Sequence, residues 1–301
     1  MSKESRRLQI ISRRLTTHQL RRLQGMDIPF DYTNFLGRDI SQRSSPYFLG
    51  YYSCEGIEYA LETYGFFSQL RKRGLDNFIL VVNTEDPYKQ RIALYYNQKD
   101  SDHLLGELVV KRKNITINPP FPSRVLGRNF EVISVEWLCL QNPEASFTPD
   151  RPRLPGQKYP GLKMGSMVME LLIIMCGRLR TAGLLNIPEH FHNAQMYAPQ
   201  FRFIDPLYAG KQKAIARDLL PKYHLADVSW AIDLKCVTEN RKPFEWFISE
   251  QIIPLDRDLK EYFNNKSYVN YVNKVAEQYR YEIDEEKWNV KKQEIDYFTG
   301  S

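Results

Sequence analysis

The hydrophobic positions change period several times along the chain. Residues 1–25 repeat helically, with Leu8, Ile11, Leu15 and then Leu20 and Leu23 on one face and the pairs Arg6/Arg7, Arg13/Arg14 and Arg21/Arg22 opposite. Residues 26–47 lose this period and carry Pro29, Gly37 and Pro46, which predicts a loop-rich connector. From Cys54 to Leu75 the stripe Ile57, Ala60, Leu61, Tyr64, Phe67, Leu70 predicts a helix, with cations in its last turn and Gly74 as its stop. Short apolar runs then predict strands at 78–82, 91–96 and 104–111, the last two joined by a polar turn. Residues 130–140 are apolar on both faces, as a central strand should be.

A long loop rich in proline and glycine, 141–163, leads into a helix predicted from Gly165 to about Ala182, which is apolar almost all round and therefore buried. Further strands are expected at 184–187, 201–204 and 228–237. Beyond Lys242 the composition turns aromatic and charged, with helices expected at 256–263 and 267–279. This stretch is expected to cover the body or to form a dimer contact.

The composition is 43% hydrophobic, enough for a proper core. The net charge of +6 is concentrated. Residues 1–25 hold seven Lys/Arg against one acid, so the other 276 residues sum to zero. A basic arm on a neutral body is a weak case for a nucleic-acid domain. Three uses of the arm stand open: packing of its leucine face, contact with an anionic surface, or targeting. Cys54, Cys139, Cys176 and Cys236 form no CxxC pair and read as free thiols. No apolar stretch is long enough to span a bilayer, and no segment has the pattern of a signal peptide, so the expected location is cytoplasmic. His190-Phe191-His192 beside Glu189 could contact a metal, but no third ligand lies nearby. No metal is expected, and these histidines are expected to line a cleft, where either could act as a base.

A central strand that feeds a loop and a helix N-terminus makes an anion site, because first-turn amides lack intrahelical partners. Here the segment is Gly-Leu-Lys-Met-Gly-Ser-Met, 161–167. Read with its surroundings, it resembles the core of the GNAT superfamily of acyl-CoA-dependent N-acyltransferases. Residues 133–140 resemble the family's fourth strand, and Lys163-Met164-Gly165-Ser166-Met167 looks like its pyrophosphate loop, with Lys163 at the first glycine position and Pro160 at that of Gln/Arg. Leu184–Ile187 resembles the fifth strand, and His192-Asn193-Ala194-Gln195-Met196-Tyr197 the helix that bears Asn and Tyr.

The resemblance implies an α+β fold: a GNAT-like mixed central sheet flanked by helices over residues 46–240. A basic arm and connector (1–45) precede it, and a helical extension (241–301) follows. It implies transfer of an acetyl or longer acyl group from acyl-CoA to an amine, and a homodimer as in many relatives. Leu138, Cys139 and Leu140 would pair with pantetheine, and Lys163, Met164, Gly165, Ser166 and Asn193 would help hold CoA. Glu136, raised in pKa by burial, would be the base, unless it is an ion-paired strand carboxylate. Tyr197 would protonate the thiolate, unless it is a core tyrosine. Arg151, Arg153, Gln157 and Lys158 in the long loop would line the entrance. The alternative is the same fold without turnover, as an acyl-CoA-binding or partner-binding module.

Overall fold

The computed structural model describes residues 3–22 and 45–298. The connector expected at 26–47 and Leu23 of the arm thus fall largely outside the described residues. The chain is α+β, with a mostly antiparallel multi-strand sheet flanked by helices. It divides into two compact units.

The first unit comprises 1–112, 136–141 and 162–175. It opens with α1 (Lys3–Arg14) and α2 (Thr17–Leu20), where Thr16 and Gln19 form a capping box. Leu8, Leu15 and Leu20 are buried, so the arm's leucine face is packed within this unit. The expected single helix over 54–75 is two: α3 (Cys54–Tyr64) and α4 (Phe66–Arg71). Gly65, at φ +84°, breaks them. Strands β1 (Phe78–Asn83), β2 (Gln90–Tyr96), β3 (Leu104–Ile117) and β4 (Arg128–Leu140) lie in that order, with β1–β2 and β2–β3 antiparallel. The unit closes with the start of α5 (Gly165–Leu179).

The second unit takes in 113–135, 142–161 and 176–301, and so includes the far parts of β3 and β4. Next come β5 (Gly183–Asn186), α6 (Phe191–Tyr197) and β6 (Arg202–Phe203). Then follow α7 (Pro206–Leu219), α8 (Leu225–Asp233), β7 (Val237–Glu239), β8 (Lys242–Pro243) and β9 (Gln251–Pro254). Last are α9 (Arg257–Asn264), α10 (Lys266–Gln278), β10 (Tyr281–Ile283) and α11 (Glu285–Lys291). The strand order here is β3-β4-β5-β9-β6, with β10-β7-β8 as a small separate sheet.

Two features depart from the sequence expectation. Residues 228–237 are not a strand: most of them belong to α8, and β7 begins only at Val237. Within the aromatic tail, β9 pairs antiparallel with both β5 and β6. Buried Ile115, Val132, Leu185, Ile252, Leu259 and Tyr262 share one core cluster, so the tail helix α9 packs on this part of the sheet.

Candidate functional site

The first unit brings together most of the predicted site residues. β4 pairs with β5 in parallel, and their register runs only over Ile133–Val135. At its far end Gln141 N donates to Leu105 O at 2.9 Å, and the Gln141 side chain donates to Leu104 O at 3.0 Å, which ties β4 to β3. Across a trans peptide the preceding carbonyl points the other way. That carbonyl, Leu140 O, accepts from Leu162 N at 3.4 Å. β4 is thus paired with β5 over Ile133–Val135, and its far end meets the 160s loop at Leu140.

The loop then turns into α5. Lys163 is exposed and sits at φ +56°, in the left-handed region that favours glycine. Met164 is buried and its carbonyl accepts from Val168 N at 3.0 Å, closing the first turn. The amides of Gly165, Ser166 and Met167 precede any intrahelical partner, and Ser166 is exposed. Lys163, Met164, Gly165 and Ser166 thus form a turn into a helix start beside the end of β4, with a positive dipole end and a lysine on the outside.

Glu136 is not buried, which corrects that expectation. It is an exposed residue whose Oε2 accepts from Lys111 Nζ at 2.8 Å. Lys111 was not singled out from the sequence, because β3 was expected to stop there and cross-strand neighbours cannot be read without a register. Leu138 and Cys139 are half-buried on β4. Burial, then the Glu107 charge, push the Cys139 thiol up to about 11, and its Sγ donates to Gln141 Oε1 at 3.4 Å. It stays a thiol at neutral pH and is no nucleophile.

The other predicted residues belong to the second unit. On α6, Asn193 N donates to His190 O at 3.2 Å in the first turn. Tyr197 is half-buried, its ring edge-on to Phe201 at 6.4 Å, and burial raises its pKa, so the phenol keeps its proton. His192 is buried and stacks on His190 at 5.4 Å. Burial and the neighbouring His190 push its pKa down to about 3. His190 Nδ1 lies 3.1 Å from Asp233 Oδ1. Among the described residues no group of three His, Cys, Asp or Glu could hold a metal.

The long loop is held by its own side chains. Asn142 N donates to Pro160 O at 2.7 Å and joins its ends, and Arg151 Nη2 donates to Gly161 O at 3.0 Å. Arg153 lies over the Trp230 ring, receives the Trp230 indole N–H on its carbonyl at 2.8 Å, and donates from Nε to Asp296 O at 2.7 Å. Gln157 Oε1 accepts from Leu154 N at 3.0 Å. Lys158 sits over the Tyr159 ring at 5.0 Å. Arg151, Arg153 and Gln157, expected at an entrance, act here as staples of the loop.

No family model, no curated protein and no solved structure matches the chain. Among the described residues no helix is long and apolar enough to cross a membrane.

Proposed function

We propose that the chain is a divergent GNAT-like, acyl-CoA-dependent N-acyltransferase that moves an acetyl or longer acyl group from CoA to an amine by direct transfer. The observation that carries this reading is the end of β4. Paired with β5 over Ile133–Val135, it meets, through Leu140, a turn whose Lys163 has a glycine-like backbone and whose next residues open α5. A strand edge can pair with the amides of an extended pantetheine, as a peptide adds to a sheet. The helix start can hold a pyrophosphate, with Lys163 as its cation.

In the transfer the amine nitrogen attacks the thioester carbonyl, a C–N bond forms and the C–S bond breaks. The ammonium proton goes to a carboxylate, and the thiolate takes a proton from a phenol. Glu136, ion-paired with Lys111, is the carboxylate of this scheme. Tyr197, whose burial keeps it protonated, is the phenol that the resemblance assigns to this step. Leu138, Cys139 and Leu140 line the pantetheine edge.

The ion pair between Lys111 and Glu136 favours a second reading, binding of acyl-CoA without turnover. One experiment separates them. Acetyl-CoA is titrated calorimetrically into the native chain and into Gly165→Glu, and thiol release is followed with a panel of amines. We expect saturable binding that Gly165→Glu reduces by tenfold or more, and thiol release that Tyr197→Phe slows with little change in affinity. Binding without thiol release selects the second reading. Absence of binding by acetyl-CoA and by longer acyl-CoAs discards both.

A further inference from the structure

The second unit holds a set of buried polar side-chain atoms without partners. Among the described residues, Asn186 Oδ1, His192 Nδ1, Gln200 Oε1 and both amide atoms of Gln251 have no hydrogen-bond partner. Buried polar groups are nearly always paired, since leaving one unpaired costs on the order of 1–3 kcal/mol. Five such atoms on four residues therefore need a reason.

Their placement supplies one. Asn186 ends β5, Gln251 begins β9, and the two are cross-strand partners. Directly opposed residues point to one face with their Cβ atoms roughly 5 Å apart. Two carboxamides so placed could bond to each other, yet Asn186 Oδ1 and both polar atoms of Gln251 have no partner among the described residues. Phe203 on β6 is Gln251's partner on its other side and shares this face. The other two residues bracket α6, which follows β5: His192 lies in its first turn, and Gln200 just beyond its end. The stretch between Asn186 and α6 is anchored by Trp246 Nε1, which donates to Pro188 O at 2.9 Å five residues before Gln251. Gln251 is fully buried, while Asn186 and Gln200 are half-buried, so the set spans from core to partial exposure.

No member of this set is an acid, a lysine or an arginine, and an ionic group would find no counter-charge within it. A glutamine with oxygen and nitrogen both free offers an acceptor and a donor side by side in one plane. The matching ligand edge is a planar, uncharged donor–acceptor pair, and it stays matched whichever way the glutamine amide is turned. We propose that Asn186 and Gln251 form a binding site for an uncharged amide, ureide or lactam group, seated on the Gln251 amide beside Phe203. The site is built from second-unit residues alone and stands whether or not the chain binds acyl-CoA.

The test uses the full chain and two probes that differ in one group, nicotinamide and nicotinate. Thermal unfolding is followed as each is added to millimolar level. Nicotinamide raises Tm by several degrees and nicotinate does not; the shift disappears in Gln251→Met and in Asn186→Leu. Without a probe, Gln251→Met unfolds at the native Tm or above it, because the apolar side chain of similar length removes unpaired atoms. In the native chain, nuclear magnetic resonance shows nicotinamide moving the Gln251 side-chain amide signals. Equal shifts with both probes, a shift that survives in Gln251→Met, Gln251 signals that stay still, or a Gln251→Met chain that melts well below the native one would each overturn the proposal.

Discussion

At neutral pH His192 carries no charge in the folded chain, and unfolding returns it to an ordinary imidazole. Its folded pKa, about 3, lies below the unfolded value of 6.5. Between those values the unfolded state binds the extra proton, so stability is complete above pH 6.5 and is lost progressively as pH falls toward 3. At pH 5 the loss from this residue alone is about 2 kcal/mol. Denaturant unfolding at pH 7 and pH 5 measures it, and His192→Gln should remove most of the difference. An equal loss in the variant would assign the acid sensitivity elsewhere. At this scale the sequence is readable where backbone demands are local. Gly74, expected as the stop of the helical stretch that begins at Cys54, sits at φ +78°, in the left-handed region. It is unreadable where a contact crosses strands: the Lys111 partner of Glu136, and the unpartnered Asn186 Oδ1 and Gln251 amide, depend on pairings that composition and spacing do not specify.

Between elements, close backbone approach matters more than apolar periodicity. α2 sits against α3 so tightly that a Cβ on Gly56 would come 2.1 Å from Leu20 O. Ser53, the α3 N-cap, meets the same segment, donating from its backbone N to Leu20 O at 3.0 Å and from Oγ to Arg22 O at 2.6 Å. Gly56→Ala should therefore push α2 off α3 and cost about 1–3 kcal/mol. Cleavage by trypsin within the arm should quicken in the variant, since Arg21 and Arg22 directly follow the loosened helix. Unchanged stability and unchanged cleavage would mean that the arm is held by its leucines alone. The leucine stripe of the arm was legible, because it follows a single helical period. α8 was not. Val228, Ala231 and Ile232 fit a helical face, but with Trp230 and Val237 nearby the run also reads as a strand, and burial on the shared core settles it as helix.

Across the whole chain, the order of elements from 54 to 203 was legible almost throughout, and the expected class, α+β, is the one observed. The strands at 78–83, 90–96 and 128–140 lie within a residue or two of their expected bounds, because each is a contiguous apolar run between turn signals. The part that escaped is the aromatic tail. β9 is only four residues, with a glutamine at its start and a proline at its end, and nothing local marks it as the strand between β5 and β6.

That insertion has a consequence for how the chain acquires its fold. β6 has β9 as its strand neighbour and pairs with no earlier strand, although its sequence precedes β9 by almost fifty residues. During synthesis the β5 edge and the whole of β6 must wait, unpaired, until β9 has left the ribosome. Closing such a distant pairing is slow compared with forming a hairpin. Pulsed hydrogen exchange during refolding should show the amides of β1 and β2 protected first, with β5, β6 and β9 gaining protection together and later. Protection of β6 ahead of β9 would contradict this order. The cross-strand pair of Asn186 and Gln251 comes into being only in that last event, so the face they share is among the final surfaces the protein completes.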